Sequence, residues 1–368
     1  MGDARRTVLF AGGGTGGHLY PGLAIARTLV RLDGSVQPIF IGAKRGLERT
    51  VLPATEFPHL LLDLHPLYRT KPWENWRTLV GAVSGWRELG TLVAREHPRL
   101  IVGTGGYAAG VGLAYAVVHG IPIVQQAGDS YPGLTARAFR RWTREYYLAF
   151  PEAARVIGGE PSQHIDTGAP IEPPASPRPD RAAARQAWGF PAQGGHVLLV
   201  YGGSQGSRAI NLVVADWVKR GLPDGLHLIW MTGKASYDEF KGLDGERVRV
   251  REYLAPIQDA YAATDLAIAR AGAMTTAELF AWQIPAIVVP LPTAAADHQS
   301  VNARVLEAAG AAINLPQAEL TAERLDAVVR GLLDDPAAMA KLAAGATARA
   351  RPQAAETIAR RILELMAG

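Results

Sequence analysis

Apolar residues along this chain form short runs that alternate with longer stretches of helical spacing. In the first half, runs of strand length occupy residues 8–11, 36–41, 60–64, 100–102, 121–124 and 146–150. Between them lie segments whose apolar residues recur every three or four positions, such as 23–30 and 73–95. Because alternating strands and helices are typical of a parallel sheet covered by helices on both faces, the pattern predicts an α/β fold.

The same order of elements restarts after a proline-rich segment at 172–179, which is typical of a linker. Strand-like runs follow at residues 196–201, 226–231, 248–253, 266–269 and 286–290. We therefore predict two similar Rossmann-like domains, each a doubly wound parallel sheet, over residues 1–170 and 171–350. Residues 351–368 predict a terminal helix that could pack back on the first domain. A cleft between two such domains is the natural place for a site.

Three strand-like runs end in glycine-rich turns that lead into helices. Gly-Thr-Gly-Gly occurs at both 14–17 and 103–106, and Gly-Gly-Ser-Gln-Gly occupies 202–206. Such turns can hold a phosphate or diphosphate, because glycine lets a ligand approach closely and a helix N-terminus attracts anions. No Walker-type Lys-Ser/Thr follows the first turn, and Asp33 is poorly placed for dinucleotide binding. The glycines could serve only to relieve steric conflict in the turns, but the repeated Gly-Thr-Gly-Gly string favours a phosphate-binding site.

Polar side chains beside these turns supply the candidate chemistry. His18 is the titratable residue of the first turn, and its imidazole could take a proton from a hydroxyl near neutral pH. Ser204 could donate a hydrogen bond to a phosphate. Glu278 falls inside a predicted helix. Its carboxylate could accept hydrogen bonds from ribose hydroxyls, or it could simply be stabilised by the helix dipole. Residues 297–299 follow a strand in the same way. No loop has the spacing of a metal site, so we expect none.

Composition narrows the class of protein. The 368 residues are 48% apolar and 20% charged and include no cysteine, and no apolar run approaches the ~18 residues that would span a bilayer. Disulfides and thiolate nucleophiles are thus excluded, and a cytoplasmic protein is the default expectation. Of the net charge of +4, residues 1–170 carry +5 and the remainder −1. This surplus fits either an anionic partner or an ordinary solvated surface.

Five segments, taken together, resemble those of one family. They are Gly14 to His18 with Pro21, Gly103 to Gly110, Gly202 to Gly206, Arg270 to Glu278, and Asp297 to Gln299 before Asn302-Ala303. In this order, and over nearly the whole chain, they resemble the MurG family of cell-wall glycosyltransferases, in glycosyltransferase family 28. The resemblance implies a two-domain GT-B fold, no metal or cofactor, and inverting transfer of N-acetylglucosamine from UDP-GlcNAc to lipid I, which gives β-1,4-linked lipid II.

The resemblance also implies roles for individual residues. His18 would be the base or would position the acceptor. Ser204 would bind the donor phosphate, the Leu254 backbone would contact uracil, and Glu278 would bind ribose. The implied substrate-binding residues are Thr15, Gly16, Gly17, Gly105, Tyr107, Ser204, Gln205, Leu254, Arg270, Ala273, Met274, Thr275, Thr276, Ala277, Glu278, His298 and Gln299.

Two segments depart from the family pattern. Residues 126–129 read Gln-Ala-Gly-Asp where members usually carry His-Glu-Gln-Asn, which makes Asp129 a second candidate catalytic base. Residues 168–172 read Gly-Ala-Pro-Ile-Glu in place of Gly-Asn-Pro-Val-Arg, so Glu172 replaces an arginine for the donor phosphate. Arg270 or Lys234 could supply the missing positive charge.

A polyprenyl-diphosphate acceptor would require contact with the membrane. Two clusters combine bulky apolar and cationic residues, as interfacial segments do. They are Trp73, Trp76 and Trp86 with Arg69, Lys71, Arg77 and Arg87, and Phe139 and Trp142 with Arg137, Arg140, Arg141 and Arg144. For any one tryptophan, packing in the core is the more common outcome. We expect a peripheral protein on the cytoplasmic face of an anionic membrane, without nucleic acid, and with other cell-wall synthesis and division proteins as conceivable partners.

Three other functions remain open. The chain could be a GT-B transferase for a different acceptor. Given Asp129 and Glu172, it could also be a sugar-nucleotide-binding protein with reduced or no activity. A nicotinamide-dependent oxidoreductase is disfavoured, because no acidic residue is well placed after the first glycine turn.

Overall fold

The structure is a computed structural model that describes residues 6–65, 73 and 75–367, with the backbone alone at 75 and 77–79. The chain divides into two units. Unit 1 comprises Met1–Glu172 and Gln353–Gly368, and unit 2 comprises Pro173–Pro352.

Unit 1 is built on a parallel sheet, as its strongly apolar strands require. Its strands are β1 (Arg6–Gly12), β2 (Val36–Ala43), β3 (His59–Leu62), β4 (Leu100–Gly105), β5 (Ile123–Ala127), β6 (Thr143–Leu148) and β7 (His164–Asp166). Among the described residues they form a seven-stranded sheet in the order β3-β2-β1-β4-β5-β6-β7. This is the order of doubly wound nucleotide-binding sheets, in which ligands bind at the carboxyl ends of the strands where the order reverses. Here that point lies between β1 and β4.

Helices cover both faces of this sheet. They are α1 (Gly16–Leu32), α2 (Glu48–Val51), α3 (Asn75–Glu96), α4 (Tyr107–Val118), α5 (Leu134–Ala138), α6 (Ala153–Ile157) and the last helix, α15 (Ala354–Ala367). Successive side chains of β1 point to opposite faces. Phe10 therefore packs with α1 and α15, whereas Leu9 packs with α3 and α4.

Unit 2 repeats the design with a second parallel sheet. Its strands are β8 (His196–Tyr201), β9 (Leu226–Met231), β10 (Val248–Arg251), β11 (Leu266–Ala269), β12 (Ala286–Val288) and β13 (Ala312–Asn314), in the order β10-β9-β8-β11-β12-β13. Its helices are α7 (Arg181–Ala187), α8 (Arg208–Arg220), α9 (Tyr237–Phe240), α10 (Gln258–Ala263), α11 (Ala273–Ala281), α12 (His298–Ala308), α13 (Ala322–Leu333) and α14 (Pro336–Arg349). The strand order reverses between β8 and β11, so the turns after these two strands are neighbours.

The C-terminal helix α15 belongs to the core of unit 1. Its buried side chains Ile358, Ile362 and Met366 pack in the same cluster as Leu23 of α1. In the described ranges of the chain, no helix is both long and apolar enough to cross a bilayer.

Candidate active site

The first glycine turn connects β1 to α1 and packs directly on the second. The Gly13 N–H donates a hydrogen bond to the Gly105 carbonyl at 3.2 Å. Thr15 caps α1 in an extended conformation with an exposed side chain, and the ring of Tyr107 lies beside Gly14. The two turns with the same string thus form one surface at the carboxyl ends of β1 and β4.

A buried carboxylate occupies the inner side of the first turn. Glu48 is fully buried, and its Oε1 accepts a hydrogen bond from the Gly14 N–H at 2.6 Å. A Cβ at Gly13 or at Gly46 would fall 1.3 or 1.9 Å from its carboxylate oxygens, so a side chain at either position would displace the Glu48 carboxylate. The Gly14 amide is therefore engaged by the protein itself, through Glu48 of α2, a contact that the sequence pattern does not predict.

His18 lies half-buried at the first turn of α1, with its Nδ1 turned back to the loop. Nδ1 is 3.1 Å from the Gly13 carbonyl oxygen and 3.2 Å from Thr15 Oγ1. A carbonyl can only accept, so this network assigns the proton to Nδ1. Nε2 is then the basic nitrogen of the imidazole.

The second glycine turn forms a wall against this imidazole. A Cβ at Gly105 would lie 3.1 Å from His18 Nε2. Gly106 has φ +79°, and a Cβ there would fall 2.0 Å from the Gly13 carbonyl oxygen. A side chain at either position would displace His18 or the loop that holds it.

Asp129, the rival base, lies half-buried in the loop after β5. The neighbouring Gly128 approaches α1, since a Cβ at Gly128 would be 3.9 Å from the Gly17 carbonyl oxygen. Gly16 and Gly17 are the first two residues of α1, and Gly17 is exposed. Residues predicted from three separate segments are thus gathered at the N-terminal end of α1.

In unit 2, the loop after β8 presents Ser204 and Gln205 to solvent. It closes with a hydrogen bond from the Gly206 N–H to the Gly203 carbonyl at 2.9 Å. The loop packs on the turn after β9, where Lys234 follows with an exposed side chain.

Arg270 is buried and binds protein acceptors. Its guanidinium donates to Ser207 Oγ and Gln317 Oε1, both at 2.7 Å, and to the carbonyls of Val289 and Pro290 at 3.1 Å. Burial lowers the pKa of Arg270 to about 10. Ser207 caps α8 at the end of the glycine loop after β8, so Arg270 joins that loop to the segments that contain Val289 and Gln317. Of the two cations proposed for the donor phosphate, Lys234 is therefore the exposed one.

The predicted nucleoside segment forms α11. Gly272 is its N-cap in extended conformation, and Thr276 bonds back to the Gly272 carbonyl at 3.1 Å. Glu278 lies in the second turn, half-buried, and its Oε2 accepts a hydrogen bond from the Tyr261 hydroxyl at 2.8 Å. Of the other predicted contacts, the following are half-buried: Ala273, Met274, Thr275 and Ala277. Leu254 is buried just after β10.

The loop before α12 adds the last predicted residues. His298 and Gln299 are the first two residues of α12, both half-buried. Gln299 Oε1 accepts the Leu291 N–H at 3.0 Å, which fixes the loop to the strand before it. Asn302 joins α12 to the loop before α11 by donating to the Ala271 carbonyl at 3.1 Å. In the described part of the chain, no three His, Asp or Glu side chains are grouped to hold a metal ion.

Two family models match this chain. The glycosyltransferase family 28 N-terminal domain matches residues 8–148, and the family 28 C-terminal domain matches residues 197–358. A relative from Salinibacter ruber is 40% identical over 366 residues, which cover 97% of this chain and 96% of that protein. This chain belongs to glycosyltransferase family 28.

Relatives within family 28 share one name. The S. ruber protein and one from Moorella thermoacetica, 36% identical over 97% of this chain and 98% of its own, are both UDP-N-acetylglucosamine–N-acetylmuramyl-(pentapeptide) pyrophosphoryl-undecaprenol N-acetylglucosamine transferases. The crystal structure of Acinetobacter baumannii MurG matches with a TM-score of 0.76 at 25% identity, covering 98% of this chain and 99% of that one. The predicted family and α/β GT-B fold class are confirmed.

Proposed function

We propose that this chain transfers N-acetylglucosamine from UDP-GlcNAc to the muramoyl 4-hydroxyl of undecaprenyl-pyrophosphoryl-MurNAc-pentapeptide, with inversion. The observation that carries the proposal is the full-length relation to the S. ruber transferase, at 40% identity over 97% of the chain. The glycine turns, His18 and the α11 segment support it, since they offer the groups that such a reaction needs.

The chemistry assigned to unit 1 is proton transfer. Nε2 of His18 takes the proton of the acceptor hydroxyl while that oxygen forms a bond to the anomeric carbon of the donor sugar. The bond from the anomeric carbon to the β-phosphate oxygen breaks, and its electron pair leaves with UDP. Thr15, Gly16, Gly17, Gly105 and Tyr107 form the surface around His18 on which we propose that the acceptor diphosphate binds.

The chemistry assigned to unit 2 is donor binding. Ser204 and Gln205 belong to the loop proposed for the donor diphosphate, and Lys234 lies in the turn that packs on it. A hydroxyl and a cation there would stabilise the charge of the departing UDP. The start of α11 is proposed for the nucleoside, with Glu278 on ribose and the Leu254 backbone on uracil. His298 and Gln299 are proposed for the donor sugar and phosphate.

Unit 1 is also the proposed membrane-binding part. Trp73, Trp76, Val80 and Val83 recur at helical spacing and are 51–69% exposed. Helices α3 and α5 both pack on α4, and Trp142 with Arg141 and Arg144 is exposed just after α5. We name these residues the α3–α5 face. Exposed apolar residues and cations on elements that pack on the same helix suit an anionic bilayer surface, so we propose peripheral binding through these residues.

Two residues of the membrane hypothesis belong to the core, and the side chains of three others lie outside what the structure describes. Trp86 is half-buried and its ring lies 4.9 Å from that of Tyr115, so it belongs to the core. Phe139 packs on the same core cluster. Arg69 and Lys71 lie outside the described residues, as does the side chain of Arg77.

The test is a transfer assay with purified protein, a short-chain analogue of the lipid acceptor and several sugar nucleotides. We expect a disaccharide product from UDP-GlcNAc and little from UDP-glucose or UDP-N-acetylgalactosamine. UDP binding without any transfer would favour the sugar-nucleotide-binding alternative that Asp129 and Glu172 suggest. Transfer to another acceptor alone would favour a different GT-B transferase.

A further inference from the structure

Two buried tyrosines lie under α11. Tyr201 ends β8 and Tyr261 lies in α10, and their side chains are 3% and 2% exposed. Their hydroxyl oxygens are 3.0 Å apart. The rings of Tyr201 and Trp282 both pack against Tyr261, at 6.3 and 5.9 Å between centroids, so its phenol is held in place.

The hydrogen bonds of this pair have one direction. Tyr261 donates its single proton to Glu278 Oε2 at 2.8 Å, so the proton between the two phenols must come from Tyr201. Burial raises the pKa of both phenols well above the usual value, which keeps them protonated as donors. This series of hydrogen bonds therefore runs from Tyr201 through Tyr261 to the Glu278 carboxylate on α11, and both phenolic protons point towards that carboxylate.

We propose that Tyr261, supported by Tyr201, is a positioning residue that sets the orientation of the Glu278 carboxylate for the ribose hydroxyls of a uridine nucleotide. This inference rests on the proposed function, in which Glu278 binds ribose. A hydrogen bond to a charged group contributes more free energy than one between neutral groups. A carboxylate that is free to rotate would also lose conformational entropy when the ligand binds, which weakens the affinity. Two aromatic residues from outside α11 would thus act on affinity for the nucleoside without touching it.

The discriminating measurement compares UDP with 2′,3′-dideoxy-UDP, which lacks both ribose hydroxyls. In the wild type we expect UDP to bind more tightly by about 10-fold or more, as hydrogen bonds to a carboxylate predict. In Tyr261→Phe this ratio of dissociation constants should fall to within about threefold of unity. A purely structural defect would weaken both ligands and leave their ratio unchanged. In turnover, the KM for UDP-GlcNAc should rise about 10-fold, and kcat should change far less.

Two further variants complete the experiment. Tyr201→Phe, which leaves Tyr261 in place, should also reduce the ratio of the two dissociation constants, by about twofold. This variant replaces Tyr261→Phe in the experiment if Tyr261→Phe does not fold. Tyr237→Phe is the matched control in unit 2 and should keep the wild-type ratio. An unchanged ratio in both Tyr261→Phe and Tyr201→Phe, in a protein that binds UDP and transfers sugar, would overturn this inference alone. A wild type that neither binds UDP nor transfers sugar would overturn the proposed function, and this inference with it.

Discussion

The tautomer of neutral His18 depends on the loop before it. The Gly13 carbonyl and Thr15 hydroxyl, at 3.1 and 3.2 Å from Nδ1, fix which nitrogen carries the proton. A general base must present an unprotonated nitrogen to its substrate, and the tautomer assigned here leaves Nε2 in that form. Gly105 lies against Nε2, so the acceptor would reach it along the backbone of the second glycine turn.

We expect His18→Ala to lower kcat by about 10²–10⁴-fold, the usual loss when a general base is removed. The KM for UDP-GlcNAc should change little, because we propose that His18 acts on the acceptor. Steady-state kinetics with both substrates varied would measure this. His119→Ala, an exposed histidine of the same unit, is the control. Near-normal turnover of His18→Ala, with a large loss in Asp129→Asn, would transfer the role of base to Asp129.

At the residue scale, the sequence could predict groups that stand next to one another in the chain. His18 and the glycines around it are one short segment, and their chemistry follows from residue type. Glu48 could not be predicted, because it reaches the Gly14 amide from 34 positions away. The burial of Arg270 could not be predicted either, because an arginine after a strand can face solvent or, as here, donate to backbone carbonyls and to Ser207.

At the scale of elements, periodicity predicted helix α3 but not which of its faces is inside. The stripe that predicted the helix is largely exposed at Trp76, Val80 and Val83. The sheet side is instead formed by Leu89, Leu92 and small residues such as Gly81, where a Cβ would fall 2.3 Å from a backbone oxygen. Close packing of a helix through small residues leaves little apolar pattern to detect.

Two strands escaped prediction altogether, and both are the last strand of their sheet. β7 and β13 have only three residues each, and most of these are not buried. Three residues with so little buried surface leave a weak apolar pattern, whereas β3 and β10, which also lie at sheet edges, are predicted from longer strand-like runs. The interior strands, which are buried on both faces, were recognisable as apolar runs.

The attachment of α15 to β6 should depend on pH. Arg361 Nε donates to Glu145 Oε2 at 2.8 Å. Burial raises the pKa of Glu145, but the hydrogen bonds and charge of Arg361, together with Tyr147, outweigh this and the net pKa is lowered. A carboxyl whose pKa is lower in the folded state stabilises the fold above its unfolded value of 4.5, and this contribution disappears as the pH falls through the folded value.

Glu145→Gln should therefore lower the melting temperature at pH 7 by roughly 2–8 °C, since it removes a partly buried ionic hydrogen bond. The difference from the wild type should shrink as the pH falls below about 4.5. Thermal unfolding monitored by circular dichroism across this range would measure it. Glu356→Gln, which affects exposed pairs with Arg31 and Arg360, should have little effect. A difference for Glu145→Gln that persists unchanged at low pH would contradict the ionic interpretation.

At the scale of the whole molecule, one design occurs twice. Each unit orders its strands outward from the first strand, so each places a glycine turn at the point where the order reverses. The repeated sequence of apolar strand, glycine turn and helix was sufficient to predict both sheets. The amphipathic pattern of α15 shows only that its apolar face must pack against another element. The contacts between α15 and α1 show that this element belongs to unit 1.

Membrane binding is the property of the whole molecule that the α3–α5 face predicts. Burial of large apolar side chains in the interface and attraction of cations to anionic lipid should both contribute. We expect the wild type to float with phosphatidylglycerol vesicles and much less with pure phosphatidylcholine. Replacing Trp76, Val80 and Val83 by serine together should weaken vesicle binding by about 10-fold or more.

Charge reversal separates the two contributions to membrane binding. Arg141→Glu with Arg144→Glu should weaken binding to anionic vesicles by about fivefold per charge, and the loss should fade at high salt. Leu212→Ser, an exposed apolar residue of unit 2, is the matched control and should bind as the wild type does. Turnover of a short-chain, water-soluble acceptor should be preserved in all these variants, because the substituted residues lie outside the proposed substrate-binding surfaces. Wild-type flotation that does not depend on anionic lipid, or a serine variant that binds vesicles normally, would show that this face does not meet the membrane.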